Sequence, residues 1–187
     1  IPGNRAMAYS KALTYGLYAA NGERLVLCDN LATQVMQAAQ IDDYERVSDV
    51  NPGELTCHHP LHGQGYDFEV PVLAGDFVTD ETGTGLVHIA PGHGQDDFEL
   101  GMQHNIEVPF TVDEGGVYFD SVPIFAGKRV LDDKGKDGDA NGAVIGALVE
   151  AERLLAKGKL RHQYPHSWRS KAPLIFRNTP QWFISME

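Results

Sequence analysis

The chain has 187 residues, enough for one substantial hydrophobic core and short for two, so one principal domain with extensions is expected. Its formal net charge is −11 and unevenly spread: residues 157–187 hold six Lys/Arg against one acid, whereas residues 1–156 hold nine against 25. The acidic body repels a polyanion at long range and leaves only the basic end to meet one locally; two cysteines outside any CxxC pair exclude a disulfide scaffold; and the lack of a charged leader or a run of about 18 apolar residues points to a reduced, cytoplasmic setting with no membrane partner.

Thr14 to Ala20 and Glu23 to Asp29 are strand-like runs joined by Asn21-Gly22, a dipeptide suited to the positive backbone angles of a tight hairpin. Asn30 is placed to cap a helix to about Gln40, with Leu31, Val35, Met36 and Ala39 on one apolar stripe that reads as core. Tyr44 to Val47, Glu54 to His58, Tyr66 to Leu73 and Thr84 to Ala90 read as strands, interrupted by Asn51-Pro52-Gly53 and His62-Gly63-Gln64-Gly65. Asp96 to His104 has helical spacing, with Phe98 and Met102 four apart, and Val108 to Val112 pairs with Gly115 to Phe119 around Asp113-Glu114. Asp132 to Gly142 is an acidic, glycine-containing loop before the clearest helix, about Ala143 to Lys157, whose Val144, Leu148, Ala151 and Leu155 share a face and which Gly158 ends. Tyr164-Pro165-His166 through Pro180-Gln181-Trp182-Phe183 reads as extended chain packed on a neighbouring domain. Many short strands and about three helices sum to a β-rich α/β fold, with a curved or closed, barrel-like sheet and the helices around it.

The densest chemistry lies in Gly83-Thr84-Gly85-Leu86-Val87-His88-Ile89-Ala90-Pro91-Gly92-His93-Gly94-Gln95-Asp96-Asp97-Phe98, where two imidazoles and two carboxylates surround a glycine-rich turn between a strand and a helix. A period of two sends His88 to the face opposite Val87 and Ile89, towards whatever the turn encloses if those two fill the core. Asp96 and Asp97 sit at the helix start, where unpaired N–H groups favour acids. Two adjacent acids cannot both cap, so one is free to bind an ammonium by a charge-assisted hydrogen bond.

Other chemistries find weaker patterns. His88, His93 and Asp97 could ligate a metal, but their spacing fits neither HExxH nor a CxxC pattern, and Cys57-His58-His59 with His62 is a second such cluster that a strand would split between two faces. There is no phosphate loop of the Gly-x-x-x-x-Gly-Lys-Ser/Thr kind, Gly83-Thr84-Gly85 lacks the later glycine of a dinucleotide fingerprint, and no serine sits in a nucleophile elbow. Hydrolysis would have to use water directly.

The central stretch resembles the editing-domain motif of bacterial-type isoleucyl-tRNA synthetases. Tyr164-Pro165-His166-Ser167-Trp168-Arg169 and Pro180-Gln181-Trp182-Phe183 resemble the segment by which such chains return to their catalytic domain, and Ile1-Pro2-Gly3-Asn4-Arg5 resembles the end of an upstream editing motif. Valyl and leucyl relatives usually carry Pro-Ala-His in place of the Pro-Gly-His-Gly turn, which favours the isoleucyl branch. The resemblance implies an editing domain over residues 1–163 and a connection returning towards the catalytic domain over 164–187. The family places a threonine-rich peptide just before the position of Ile1, so the chain reads as part of something longer, and whether it turns substrate over alone stays open.

By this resemblance the domain hydrolyses valine wrongly esterified to the 3′ end of tRNA(Ile), and valyl-adenylate stays open as a second substrate. Such a site is needed because one methylene is worth only about 1–3 kcal/mol of pocket discrimination, a limit for which isoleucyl enzymes are themselves the standard illustration. Asp97 would hold the free α-ammonium of the misattached amino acid and orient the ester. His88 would lie beside the terminal ribose and amino acid, positioning water or stabilising developing charge; Gly92 and His93 would shape the turn, and Asp96 would be the structural acid. No cofactor is implied for editing, whereas ATP and Mg²⁺ serve the parent synthetase. The partners implied are tRNA(Ile) carrying valine and the catalytic domain of the same chain. A non-catalytic aminoacyl-tRNA-binding fragment and a metal-dependent hydrolase are the alternatives.

Overall fold

The structure, a computed structural model, describes residues 1–158 and 164–186. Lys159 and Arg161 of the basic end, and the expected boundary between 163 and 164, lie outside the described residues. In chain order the elements are β1 (Ala6–Tyr9), β2 (Tyr15–Ala20), β3 (Glu23–Cys28), α1 (Asp29–Ala38), β4 (Tyr44–Asp49), β5 (Thr56–His58), β6 (Glu69–Ala74), β7 (Leu86–Ile89), α2 (Gln95–Gln103) and α3 (Ala140–Glu150). The strands form a three-stranded sheet, β3-β2-β4, and a four-stranded sheet, β5-β6-β1-β7.

The three-stranded sheet follows from local signals. Asn21 and Gly22 adopt φ of 50° and 81°, the left-handed pair that lets β2 turn straight into β3. α1 begins directly after β3 and lays Ala32 and Met36 into a core with Tyr18 and Leu27 and Leu31 into a second with Tyr15 and Val72; each large apolar side chain so enclosed contributes about 1.5–3 kcal/mol. Asn30 does not cap this helix. The cap position falls on Cys28, which has no side-chain oxygen to offer, and the Asn30 amide donates instead to Asp80 at 2.6 Å. Asp29 in the first turn is pinned by the Tyr18 hydroxyl at 2.8 Å and by the Arg46 guanidinium at 2.9 Å, which holds its carboxyl below the usual carboxylate range.

The four-stranded sheet is assembled from distant segments. β1 runs parallel to β6, with Met7 opposite Val72, and antiparallel to β7, with Met7 opposite His88. β1 carries no strand signal of its own: Ala6-Met7-Ala8-Tyr9 lacks β-branched residues, and it becomes a central strand because Ala6 and Ala8 are small enough to be fully buried between neighbours. The two sheets touch where the Gly85 backbone meets Cys28; a Cβ at Gly85 would lie 2.3 Å from that of Cys28, and φ of +76° is the second reason for glycine there.

The expected barrel does not form among the described residues. β5 and β7 remain edges of one sheet and β3 and β4 edges of the other, and four strands of three to six residues are too narrow a ribbon to curl back on themselves. α3 also departs from expectation, starting three residues earlier and ending well before Gly158. Its stop is Glu152 at φ 56°, followed by Arg153 N–H donating back to the Leu148 carbonyl at 2.8 Å. Leu155 is consequently off the helix and half-exposed, while Leu148 is buried against Tyr66 and Phe125. The pair around Asp113 survives as a single bridge, Val112 to Tyr118, tightened by Asp113 Oδ1 accepting from the Gly115 and Val117 amides. Among the described residues no helix is long and apolar enough to cross a membrane.

Candidate active site

β7 delivers His88 to the sheet edge and the glycine turn carries the chain on into α2. Ile89 is fully buried but Val87 is 37% exposed at the edge, so only one of the two residues expected in the core is enclosed; the period of two puts His88 on the face opposite Ile89. Its Nδ1 lies 2.8 Å from the amide nitrogen of Asn4, a buried side chain just ahead of β1. That nitrogen also donates to the Ala6 carbonyl at 2.9 Å, which identifies it as the NH₂ end; Nδ1 of His88 is therefore the acceptor, and the neutral ring carries its proton on Nε2. His88 keeps an exposed edge, yet most of its ring is surrounded by protein. Burial lowers its pKa to about 4, so it is neutral at physiological pH.

The turn itself is braced on three sides. Gly92 is pressed against the Pro109 carbonyl, which a Cβ would approach to 2.8 Å. Asp97, in the first turn of α2, reaches back so that Oδ2 accepts from the Ala90 N–H at 2.7 Å. Burial raises its carboxyl above the usual range while this hydrogen bond lowers it, and Oδ1 makes no hydrogen bond among the described residues. Asp96 is exposed and faces away to a separate cleft with Phe77 and Glu99. The backbone clamp therefore belongs to Asp97 rather than to Asp96. His93 donates from Nδ1 to the Phe176 carbonyl at 2.8 Å, leaving Nε2 to accept from the Thr111 hydroxyl.

His88, Ala90 and His93 line one cavity of about 250 Å³, whose apolar walls include Val112, Val130 and Ile175. Asp97 is not a lining residue; its hydrogen-bond partner Ala90 is. A roomier cavity lies elsewhere, about 560 Å³ beside Lys11, and its Asp29–Arg46–Asp49 set is an internally satisfied ion-pair network. The Cys57 to His62 group is not brought together. His59 is buried, with Nδ1 accepting from Leu61 N–H at 3.1 Å and Nε2 3.1 Å from the Ile1 carbonyl, whereas His58 and His62 pair with each other outside. No group of three or more His, Cys, Asp or Glu among the described residues could hold a metal ion, and both ring nitrogens of His93 are already engaged.

Against known proteins, residues 27–136, more than half of the chain and including the whole glycine turn, match the family model described as leucyl-tRNA synthetase, editing domain. The chain belongs to this synthetase editing-domain family. Over its full length it is similar to the isoleucine–tRNA ligases of Bradyrhizobium diazoefficiens, at 51% identity, Rhodopseudomonas palustris, at 52%, and Caulobacter vibrioides, at 46%. It covers 21%, 21% and 22% of those relatives, about a fifth of their length. A solved chain described as the crystal structure of GlLeuRS-CP1 aligns with a TM-score of 0.44 at 14% identity, covering 80% of this chain and 63% of that one.

Two residues of this editing domain's site carry no local mark in the sequence. Asn4 meets His88 from 84 residues away and Thr111 meets His93 from 18, through sheet register and hairpin packing. Asn4 stands within the Ile1–Arg5 motif, but its role follows only from the pairing of β1 with β7.

Proposed function

We propose that this editing domain cleaves the ester joining valine to the 3′ end of tRNA(Ile), as part of a cytoplasmic isoleucine–tRNA ligase. Residues 1–163 would form the deacylase and 164–187 the return to the catalytic domain. The observation that carries the chemistry is the state of His88: neutral, with Nδ1 spent on Asn4 and Nε2–H without a hydrogen-bond partner among the described residues, on the wall of a cavity. A neutral imidazole so arranged is a hydrogen-bond donor. Water adds to the ester carbonyl carbon, negative charge gathers on the carbonyl oxygen, and the Nε2–H stabilises it. The bond to the ribose oxygen then breaks, one proton of the attacking water ends on that oxygen, and valine leaves as the hydroxyl of the tRNA is restored.

Asp97 supplies the anchor for the substrate ammonium through Oδ1, its other oxygen holding the turn through Ala90. An arriving cation relieves the cost of burying that carboxylate. Gly92 and His93 keep the turn in shape. ATP and Mg²⁺ would serve aminoacylation in the remainder of such a chain; the cavity beside His88, walled by Val112, Val130 and Ile175, offers no carboxylate pair for a metal-bound triphosphate. Nothing in the editing step uses them.

The test is deacylation of valyl-tRNA(Ile) and isoleucyl-tRNA(Ile) by the chain, with Asp97→Asn and Asp97→Ala beside it. Asn keeps an oxygen for the Ala90 N–H, so Asp97→Asn should melt as the wild type yet lose about 100-fold in valyl-tRNA cleavage, while Asp97→Ala should lose stability as well. Unchanged hydrolysis in Asp97→Asn would remove the ammonium anchor. A chain that binds valyl-tRNA(Ile) without cleaving it would be a binding fragment.

A further inference from the structure

The segment expected to lead out of the domain does more than leave it. Three contacts seat it on the domain, and one backbone bond within the segment holds its own shape. The Phe176 carbonyl accepts from His93 Nδ1–H at 2.8 Å, and Leu174 N–H donates to the Pro165 carbonyl at 3.0 Å. Ile175 Cδ1 rests where a Cβ on Gly116 would be only 2.6 Å away, and Pro173 Cδ rests 2.8 Å from the corresponding point on Gly135. Both glycines have left-handed φ, +72° and +71°, so the hairpins turn tightly there and the absent side chains leave room for the segment. Its register is thus fixed by His93, a residue of the cavity that Ile175 and Phe176 also line.

We propose that Ile175, backed by Phe176, is the size-limiting wall of the cavity beside His88 and decides which amino-acid side chain the editing site admits. The inference rests on the editing reading above and assigns its selectivity to a part of the chain that otherwise reads as a connector. Attraction to a missing methylene discriminates weakly, but a side chain that meets a packed wall is refused by repulsion, and the wall must be apolar and held in place. Val112 is 2% exposed and cannot yield, Val130 and Ile175 are half-buried, and Ile175 is locked over Gly116. Trimming Ile175 enlarges the space next to His88 while leaving His88, Asn4, His93 and Asp97 in place.

The experiment uses Ile175→Ala, Ile175→Val and Ile175→Phe in the 187-residue chain. It measures cleavage of valyl- and isoleucyl-tRNA(Ile) and, by calorimetry, binding of adenosine analogues carrying valine or isoleucine on a 2′-amide. Ile175→Ala should reduce the valyl preference about tenfold or more, by a gain on the isoleucyl substrate relative to the valyl one. Ile175→Val should move the same way by less and decides the matter if Ile175→Ala fails to fold; Ile175→Phe should lose binding of both analogues. Folded Ala and Val variants that discriminate as the wild type does would overturn the wall and leave the editing reading standing. A wild-type chain that neither binds nor cleaves the valyl compounds would overturn the editing reading instead.

Discussion

His59 and His88 share one arrangement at Nδ1 and differ at Nε2, and the proposed function gives them different tasks. Each ring accepts a hydrogen bond at Nδ1, from Leu61 N–H in one case and the Asn4 amide in the other, and burial lowers the pKa of both. At His59 the remaining Nε2–H is spent on the Ile1 carbonyl, and the ring lies stacked on Tyr66 with centroids 4.3 Å apart. At His88 the remaining Nε2–H lacks such a partner among the described residues and the ring borders a cavity. The direction of the pKa shift therefore does not separate the two rings, and the proposed role of His88 rests on its unspent donor.

The sharpest way to break this comparison is to delete each ring. His59→Ala opens a hole under Tyr66 and strands the Leu61 N–H, so it should cost about 3 kcal/mol of stability in urea unfolding. His88→Ala should leave the urea midpoint close to wild type and slow valyl-tRNA(Ile) cleavage about 100-fold, roughly 2.7 kcal/mol of transition-state stabilisation. If His88→Ala unfolds the chain while His59→Ala does not, the two assignments are reversed.

A smaller perturbation moves the proton instead of the ring. Asn4→Asp replaces the donor to His88 Nδ1 by an acceptor, so the proton should shift to Nδ1 and leave Nε2 bare. Imidazole nitrogen shifts in NMR report the tautomer directly. Valyl cleavage is expected to fall about tenfold, by the loss of one oriented donor in the transition state. An unaltered tautomer, or a switched tautomer with full activity, would remove Nε2–H from the mechanism.

How much of this was legible in the sequence divides along the same line of local against distant. The Asn21-Gly22 hairpin, α1 and the strand-turn-helix around His88 and Asp97 follow from periodicity and turn chemistry within about 15 residues, and the structure places them within a few residues of expectation. β1 was not legible, because alanines do not announce a strand and this one exists by pairing with β6 and β7. With it Asn4 was hidden as a partner of His88. The choice between the two acids also turned on register: which carboxylate reaches Ala90 depends on where α2 starts, and it starts at Gln95, putting Asp97 one turn above the end of β7. The helix cap at Asn30 and the stop at Gly158 failed for a shared reason, since each helix boundary falls earlier in the chain: α1 starts at Asp29, directly after an uncapped Cys28, and the chain leaves α3 at Glu152 with its positive φ.

The smallest expected effect is the dependence of stability on pH. A histidine whose pKa is lower folded than unfolded contributes its full stability above the unfolded value, near 6.5, and loses it as pH falls towards the folded value, about 4 for His88. A full pKa unit corresponds to about 1.4 kcal/mol, but solvent reaches the exposed edge of His88 and screens its surroundings, so about 1 kcal/mol is expected from this ring between pH 6.5 and 4. His59 shifts in the same direction and adds to the fall. Asp29 and Asp139, whose carboxyls are lowered by their partners, lose their contributions only below the ordinary carboxyl value of 3.8, outside this window. Asp97 has the opposite sign: its raised carboxyl favours the folded state on acidification and partly masks the histidines. Urea midpoints between pH 7 and 4 in an Asp97→Asn background, with and without His88→Gln, isolate the His88 share, because Gln still offers an oxygen to the Asn4 amide but cannot titrate. A decline of equal size in both would mean that His88 is as well solvated folded as unfolded, and its neutrality at the cavity wall would lose its physical basis.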